Sequence, residues 1–361
     1  MTLRGKRKGY DYTLLAVVFL LVIIGLIILY STSAYNGRVK FNDSFYYMRK
    51  QAVATVLGIV LMFVAANIDY HVWEHVAVIG YIVAILLSLA VMFIGDEYNG
   101  SKRWLSLGPV SFQPSEFAKV AVIVFLAWLV TRNVKDMAKM RTLIKVMLVL
   151  MPIVGLVGAS NLSTAIIILG IGIILVFVAS PKYAQFLWMG GSAIGFMAVF
   201  LALESYRLER LAIWRNPELY EKGYQTLQGL YAIGSGGLFG RGLGNSIQKL
   251  GFVPEAQNDM IFSIICEELG LVGTSFIIIL FLILIWRFFV VATHASDLFG
   301  ALIASGALAH IMIQVILNIA VVTNTIPNTG ITLPFISYGG TSVMFLLAEM
   351  GLVLSVSNLI E

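Results

Sequence analysis

Residues Phe252 to Gly273 read FVPEAQNDMIFSIICEELGLVG, a polar approach containing Glu255 that turns into an apolar run with three further carboxylates at its edge or within it. Asp259 stands at the edge of that run, and Glu267 and Glu268 lie inside it. A charged acid in hydrocarbon costs at least ~2.5 kcal/mol on insertion scales, so three of them in a chain sparing with charge require a cause. Two causes compete. The acids serve a ligand or a reaction, or they pair with basic groups and backbone donors to lock helices together.

Composition fixes the surroundings of this stretch. Of 361 residues, 59% are hydrophobic and 12% charged, and the mean hydropathy is +0.92. A soluble domain carries about twice that charge density, so the sequence predicts a polytopic membrane protein. Its class is all-α, because the apolar segments run long and lack the strict alternation of an outer-membrane barrel strand. The net charge of +5 comes from basic residues scattered over many loops. They form no nucleic-acid footprint, and no nucleic-acid partner is expected. The single Cys266 excludes an intrachain disulfide and a cysteine-built metal site, and within an apolar run it reads as a small buried hydrophobe.

Uncharged runs at Thr13 to Ser33, Gln51 to Asn67, Val76 to Gly95, Tyr183 to Leu203 and Leu298 to Thr323 are each long enough to cross a membrane. The first follows Arg4, Lys6, Arg7 and Lys8, and its length marks a retained helix rather than a cleaved signal. Val146 to Ser180 is also free of charge, but as one helix it would measure ~52 Å, too long for one crossing. It divides into two helices at Gly158-Ala-Ser-Asn161, where residues that favour caps and turns cluster. Gln113 to Thr131 spans if Glu116 and Lys119 are admitted, Met260 to Trp286 if Glu267 and Glu268 are, and Gly339 to Ser357 with Glu349.

The result is about ten helices in a single membrane domain, residues 1–361. One large extracytoplasmic loop runs from 204 to 258, and both termini are cytoplasmic. Arg132, Lys135, Lys139, Arg141 and Lys145 crowd one short loop on the side of the basic N-terminus, which marks that side as cytoplasmic. The remaining basic residues do not follow this bias. An anionic ligand at the outer face would account for them.

Candidate chemistry gathers on that outer face. The loop Asn99 to Phe112, the break near Asn161, the large loop and the start of the Asp259 helix should converge there. Lys102, Arg103 and Trp104 offer two cations and an indole, which suit a diphosphate and a sugar face. They equally suit an interfacial anchor. The run Gly234-Ser-Gly-Gly-Leu-Phe-Gly-Arg-Gly-Leu-Gly244 permits close backbone approach and has amides to cradle an oxyanion, although it lacks the lysine and hydroxyl of a phosphate loop. Glu116 and Lys119, three apart on a helix, read as a neutralising pair. His310, Gln314 and Asn318 recur every four residues as a polar stripe, the pattern of hydrogen-bonding glue between membrane helices.

Asp259 is the candidate base, because substrate and water reach the membrane edge while burial there raises a carboxylate's pKa. No cofactor is expected. A divalent cation on Asp259 and Glu255 stays open, two acids four residues apart being thin support for one.

These residues resemble the SEDS family (shape, elongation, division and sporulation), which includes FtsW, RodA and SpoVE. The resemblance runs from the first helix to the last. It rests on Gly100-Ser-Lys-Arg-Trp104, Gln113-Pro-Ser-Glu-Phe-Ala-Lys119, Gly223-Tyr-Gln225, Pro254-Glu leading to Asp259, Glu267-Glu-Leu-Gly270, and Thr329-Gly-Ile-Thr-Leu-Pro-Phe-Ile-Ser-Tyr-Gly-Gly340. It implies a ten-helix peptidoglycan glycosyltransferase of the cytoplasmic membrane that polymerises undecaprenyl-diphosphate-linked lipid II at the outer face. The implied partners are a class B penicillin-binding protein and other membrane proteins of division or elongation.

Asp259 matches the family's essential aspartate, and Arg207 and Arg210 match its basic pair. Lys102, Arg103, Gln113, Glu116 and Lys119 match its cavity-lining block. Ser160-Asn-Leu-Ser-Thr164 departs from the family's Pro-Asp-Leu-Gly-Thr, replacing an acid by Asn161. Ser246-Ile-Gln-Lys249 and the Tyr-Gly-Gly-Thr341 ending look more like the division and sporulation branch. Two other readings use the same residues: a flippase for lipid-linked precursors, with its site at broken helices, and a non-catalytic scaffold for partner helices.

Overall fold

The computed structural model describes residues 9–98, 101–107, 110–182, 185–186, 190–191 and 211–360. In chain order its long helices are α1 (Tyr12–Phe41), α2 (Tyr46–Asn67), α3 (His71–Ile94), α4 (Pro114–Arg132), α5 (Met140–Ser160) and α6 (Leu162–Ala179), then the shorter α7 (Tyr224–Ser235), and α8 (Ile261–His294), α9 (Leu298–Val322) and α10 (Gly340–Ser357). Nine of these, all but α7, are long and apolar enough to cross a membrane among the described residues. The further span from Tyr183 to Leu203 falls for the most part outside the described residues.

Local chemistry sets the boundaries. Asp11 caps α1 by accepting from the Leu14 amide at 2.9 Å, and Asp297 caps α9 from Gly300 at 2.7 Å. Such caps stabilise a helix by about 1 kcal/mol. Pro114 opens α4 at a first-turn position that has no intrahelical N–H bond to lose. The long uncharged run divides where expected, with α5 ending at Ser160 and α6 beginning at Leu162. Asn161 forms the joint: its Oδ1 accepts from the Thr164 amide at 3.2 Å.

The helices differ in burial. Helices α4, α9 and α10 bury most of their residues, while α2, α3, α5 and α8 leave most of theirs at least partly exposed, as lipid-facing helices do. At Gly351 of α10 a Cβ would lie 2.3 Å from the Met62 carbonyl of α2, so only glycine lets these two backbones approach. The ends of the chain meet. The Gly9 and Asp11 amides donate to Asn358 Oδ1 and Ser357 Oγ, both at 3.2 Å. Asp11 also pairs with Arg287 of α8 at 2.6 Å. The α1–α2 turn, the α5–α6 joint and Asp259 lie at the opposite end.

Two features depart from the sequence reading. The segment read as a loop from Asn99 to Phe112 contributes to a small antiparallel sheet of β1 (Asp96–Tyr98), β2 (Ser101–Leu107) and β3 (Val110–Phe112). Thr341 Oγ1 ties it to α10 by donating to the Ser111 carbonyl at 2.8 Å. Helix α8 is broken at Gly270, whose φ is +64°. The glycine-rich run is spliced into this break. Leu271 and Val272 amides donate to the Gly237 and Leu238 carbonyls, both at 3.0 Å, while Arg241 and Gly242 amides donate to the Glu267 and Glu268 carbonyls, both at 2.9 Å. In a continuous helix those amides and carbonyls would have bonded one another, so the loop satisfies the groups that the break strands.

Candidate active site

Asp259 ends a compact turn one residue before Met260, the residue that precedes α8. Within the turn, Glu255 adopts φ +49°, a left-handed conformation unusual for a non-glycine residue. The Asn258 amide donates to its carbonyl at 2.9 Å, and Asn258 Nδ2 donates to its Oε2 at 2.8 Å. The turn is held from three sides. Asn36 Nδ2 of α1 donates to Gln257 Oε1 at 2.9 Å, the Tyr338 amide donates to the Gln257 carbonyl at 2.9 Å, and Asn318 Nδ2 of α9 donates to the Asp259 carbonyl at 2.8 Å.

Asn318 Nδ2 also donates to the Ile331 carbonyl at 2.6 Å, which brings the segment 329–331 beside the acid. A Cβ on Gly330, at φ +72°, would lie 3.9 Å from Asp259 Oδ2. Ser163 of α6 binds the same segment by donating to the Thr329 carbonyl at 2.8 Å.

Burial pushes the Asp259 carboxyl up to about 6. Hydrogen bonds from its own amide and that of Met260 hold it down, the negative charge of Glu255 raises it, and Arg103 lowers it. The residue is nevertheless partly exposed. A carboxylate with this access and this pKa accepts a proton near neutral pH.

Strand β2 brings Arg103 to the α5–α6 joint, where Nε donates to the Ser160 carbonyl at 3.0 Å. Lys102 is tied to a different helix. Its Nζ reaches the Phe93 carbonyl at the end of α3, at 3.5 Å. The two cations, neighbours in sequence, are thus tied to different helices, Arg103 to the end of α5 and Lys102 to the end of α3. A cavity of about 10 Å³ lies between Arg103, Ser88, Ser115, Ser160 and Asn161, room for about one water. Gln113 precedes α4 and is partly exposed. Arg207 and Arg210 lie outside the described residues.

Glu116 and Lys119 are both buried and pair at 3.1 Å. Lys119 Nζ also donates to Gln314 Oε1 at 3.1 Å, and Ser342 of α10 hydrogen-bonds Glu116. The polar stripe of α9 continues this network. His310 bridges Glu349 Oε2 at 2.7 Å and Gln314 Oε1 at 2.9 Å, and Gln314 Nε2 donates to the Thr332 carbonyl at 3.0 Å. The stripe is hydrogen-bonding glue, and at Asn318 that glue holds Asp259 itself. Asn318 and Gly330 join the site only through the fold. The signal was the last position of the stripe, whose distance from Asp259 only the fold supplies.

Glu267 and Glu268 take the structural role. Glu267 accepts from the amides of Ile247 at 3.0 Å and Gln248 at 3.3 Å, with Arg241 Nε 3.6 Å away. Glu268 pairs with Lys249 Nζ at 2.6 Å and accepts from Ser31 Oγ at 2.7 Å. Both clamp the large loop onto α8. In the glycine-rich run the Arg241 and Gly242 amides are spent on α8 carbonyls and are not free to cradle an oxyanion. A Cβ at Gly240, at φ +77°, would lie 2.2 Å from the Glu268 carbonyl, so the glycine serves backbone approach. Among the described residues no three His, Cys, Asp or Glu side chains gather as a metal group.

Residues 11–360 match the model of the cell cycle protein family FTSW_RODA_SPOVE. The chain is 38% identical to stage V sporulation protein E of Bacillus subtilis (strain 168), over 98% of both chains. It is 36% identical to a probable peptidoglycan glycosyltransferase FtsW of Geobacter sp. (strain M18), over 97% of both. Among solved structures it is similar to a chain of a peptidoglycan synthase complex described for its coordination of polymerization and crosslinking. The TM-score is 0.80 and the identity 30%, over 97% of this chain and 98% of that one. It is also similar to the rod shape determining protein RodA of Thermus thermophilus, with TM-score 0.71 and 27% identity over 97% of both.

Proposed function

This chain belongs to the FtsW, RodA and SpoVE family of cell cycle proteins, and on that premise we propose that it is a peptidoglycan glycosyltransferase polymerising lipid II, for cell division or cell-shape maintenance, with Asp259 as general base. The observation that carries the mechanism is the carboxylate of Asp259, a residue partly exposed at the membrane edge, held by its backbone and poised at about 6. Its end of the molecule faces outward and both termini face the cytoplasm, where the basic loop 132–145 also lies.

In the reaction, Asp259 takes the proton from the 4-hydroxyl of the acceptor sugar as that oxygen bonds to the anomeric carbon of the lipid-linked donor. The carbon–oxygen bond to the diphosphate breaks on the opposite face, so configuration inverts. The lipid diphosphate leaves with the electron pair, and the proton passes from Asp259 to water. Arg103, whose charge already acts on Asp259, stands on the acid's side to stabilise the leaving group, with Lys102, Arg207 and Arg210 as further cations. Trp104 and Gln113 offer a sugar-stacking face and an amide at the rim. Glu116 and Lys119, a buried pair, hold α4 against α9 and α10 beneath the site.

A class B penicillin-binding protein would crosslink the strands, in line with the synthase complex to which the chain is similar. The test is gel analysis of glycan products from purified protein on labelled lipid II, with and without that partner. Polymer is expected with the partner present. Translocation of lipid II without polymer would overturn this reading in favour of the flippase.

A further inference from the structure

The splice of the large loop into α8 has an exposed tip. Leu238 and Phe239 are 62% and 79% exposed, among the most open apolar side chains of the molecule. Their height along α8 is fixed by the backbone, since the Leu238 carbonyl accepts from the Val272 amide at 3.0 Å. Arg287 lies fifteen positions further along the same helix, about 22 Å away at the α-helical rise. Arg287 is paired with Asp11 and flanked by the exposed Trp286, which marks the membrane edge at the end of the chain termini. With a hydrocarbon core of about 30 Å, Val272 and Leu238 then sit roughly 8 Å inside the opposite edge. A tilted helix would put them deeper.

Three further observations agree with that depth. Leu271, Val272, Phe276, Ile279, Leu282 and Trp286 form one exposed apolar stripe along α8, and the loop tip continues its upper end. The carbonyls of Gly236, Gly237 and Leu238 are hydrogen-bonded to protein, which lowers the cost of setting this non-helical stretch in hydrocarbon. The nearest charge on the run, Arg241, lies beside Glu267, about 30 Å above Arg287 and so at the edge itself. On the same scale Ile261, the first residue of α8, stands roughly 9 Å beyond the hydrocarbon edge, which puts Asp259 at the outer side of the headgroup layer.

We propose that the Leu238–Phe239 tip of the large loop is a membrane anchor, inserted among the acyl chains of the leaflet on the Asp259 side. The splice makes the anchor rigid with α8, so the leaflet itself sets the height of Asp259 above it. The partner surface is lipid, not protein.

The test uses the full chain in phosphatidylcholine/phosphatidylglycerol nanodiscs, with a spin label at Phe239→Cys in a Cys266→Ala background. Labels at Leu271→Cys and Lys139→Cys serve as the lipid-facing and aqueous references. Power saturation should give position 239 the high oxygen and low nickel-chelate accessibility of position 271. Nickel accessibility equal to that of position 139 would overturn the anchor, leaving a water-exposed tip. Low accessibility to both reagents with an immobilised spectrum would overturn it too, since protein would then cover the tip. Phe239→Trp supplies a second measurement, in which brominated lipids should quench the added emission relative to the parent chain. Lack of extra quenching would count against insertion.

Discussion

Asp259 is a weak base in water and a better one where it sits, because burial raises its carboxyl to about 6. The sign follows directly: below that pH the group is protonated and cannot accept a proton, so polymerisation should rise through pH 6 and level off above it. Charges facing the acid should move this limb in opposite senses. Glu255→Gln removes a charge that raises the pKa, so the limb should move to lower pH. Arg103→Ala removes one that lowers it, so the limb should move to higher pH. A rate profile on labelled lipid II reads all three, and limbs that stay put would take the base role away from Asp259. Asp259→Asn should insert normally and lose ~10² to 10⁴ in rate. Asp259→Glu keeps the carboxylate but displaces it by about one methylene, and should still lose ~10²-fold.

At the scale of elements, two joints hold the site, and both are polar breaks between helical pieces. At the α5–α6 joint, Asn161 caps α6 through its Oδ1, a task that an aspartate performs equally well. Asn161→Asp should therefore leave thermal stability near that of the parent, whereas Asn161→Ala should lose about 1 kcal/mol in a denaturation series. Equal loss in both would mean that the cap is not what the amide contributes. At the α8 break, Gly240→Ala drives a Cβ to 2.2 Å from a backbone carbonyl, at a positive φ besides. It should destabilise the folded protein by at least ~1 kcal/mol through steric overlap and strain, read as a lowered melting temperature in detergent. Gly234→Ala, which meets nothing within 4 Å, is the control.

For the molecule as a whole, the central helices α4, α9 and α10 are joined less by apolar packing alone than by one buried polar network from Glu116 through Lys119, Gln314 and His310 to Glu349. Removing either Glu116 or Lys119 strands a charge in the interior, a cost of ~3 to 5 kcal/mol, while removing both relieves it. In a double-mutant cycle of Glu116→Gln and Lys119→Met, the double variant should be more stable than either single one. Additive losses would mean that the two side chains act separately. Because Gln314 and Asn318 share a face of α9, the same network runs into the tether on Asp259. The helix bundle and the proposed base are thus one mechanical unit.

What the sequence determined by itself was whatever depends on local patterns of charge and hydropathy. Long uncharged runs dictate spanning helices, too long a run dictates a joint, and residues three or four apart dictate a pair and a stripe, so the layout, the Asn161 joint and the Glu116–Lys119 pair were all legible. The same holds for Asp259, whose place at the border of an apolar run is a fact of sequence. Tertiary structure decided the rest. Glu267 and Glu268 look like Asp259 in sequence, yet their partners, Ser31 and the stretch 246–249, come from a distant helix and from a loop whose path no periodicity encodes. The strand that takes Lys102 and Arg103 to different helices depends on pairing with neighbours rather than on its own pattern. Likewise, a glycine-rich run reads as flexible until its backbone finds a broken helix to complete. Side-chain pattern is local, whereas backbone hydrogen bonds across a break are formed only once the chain has folded back upon itself.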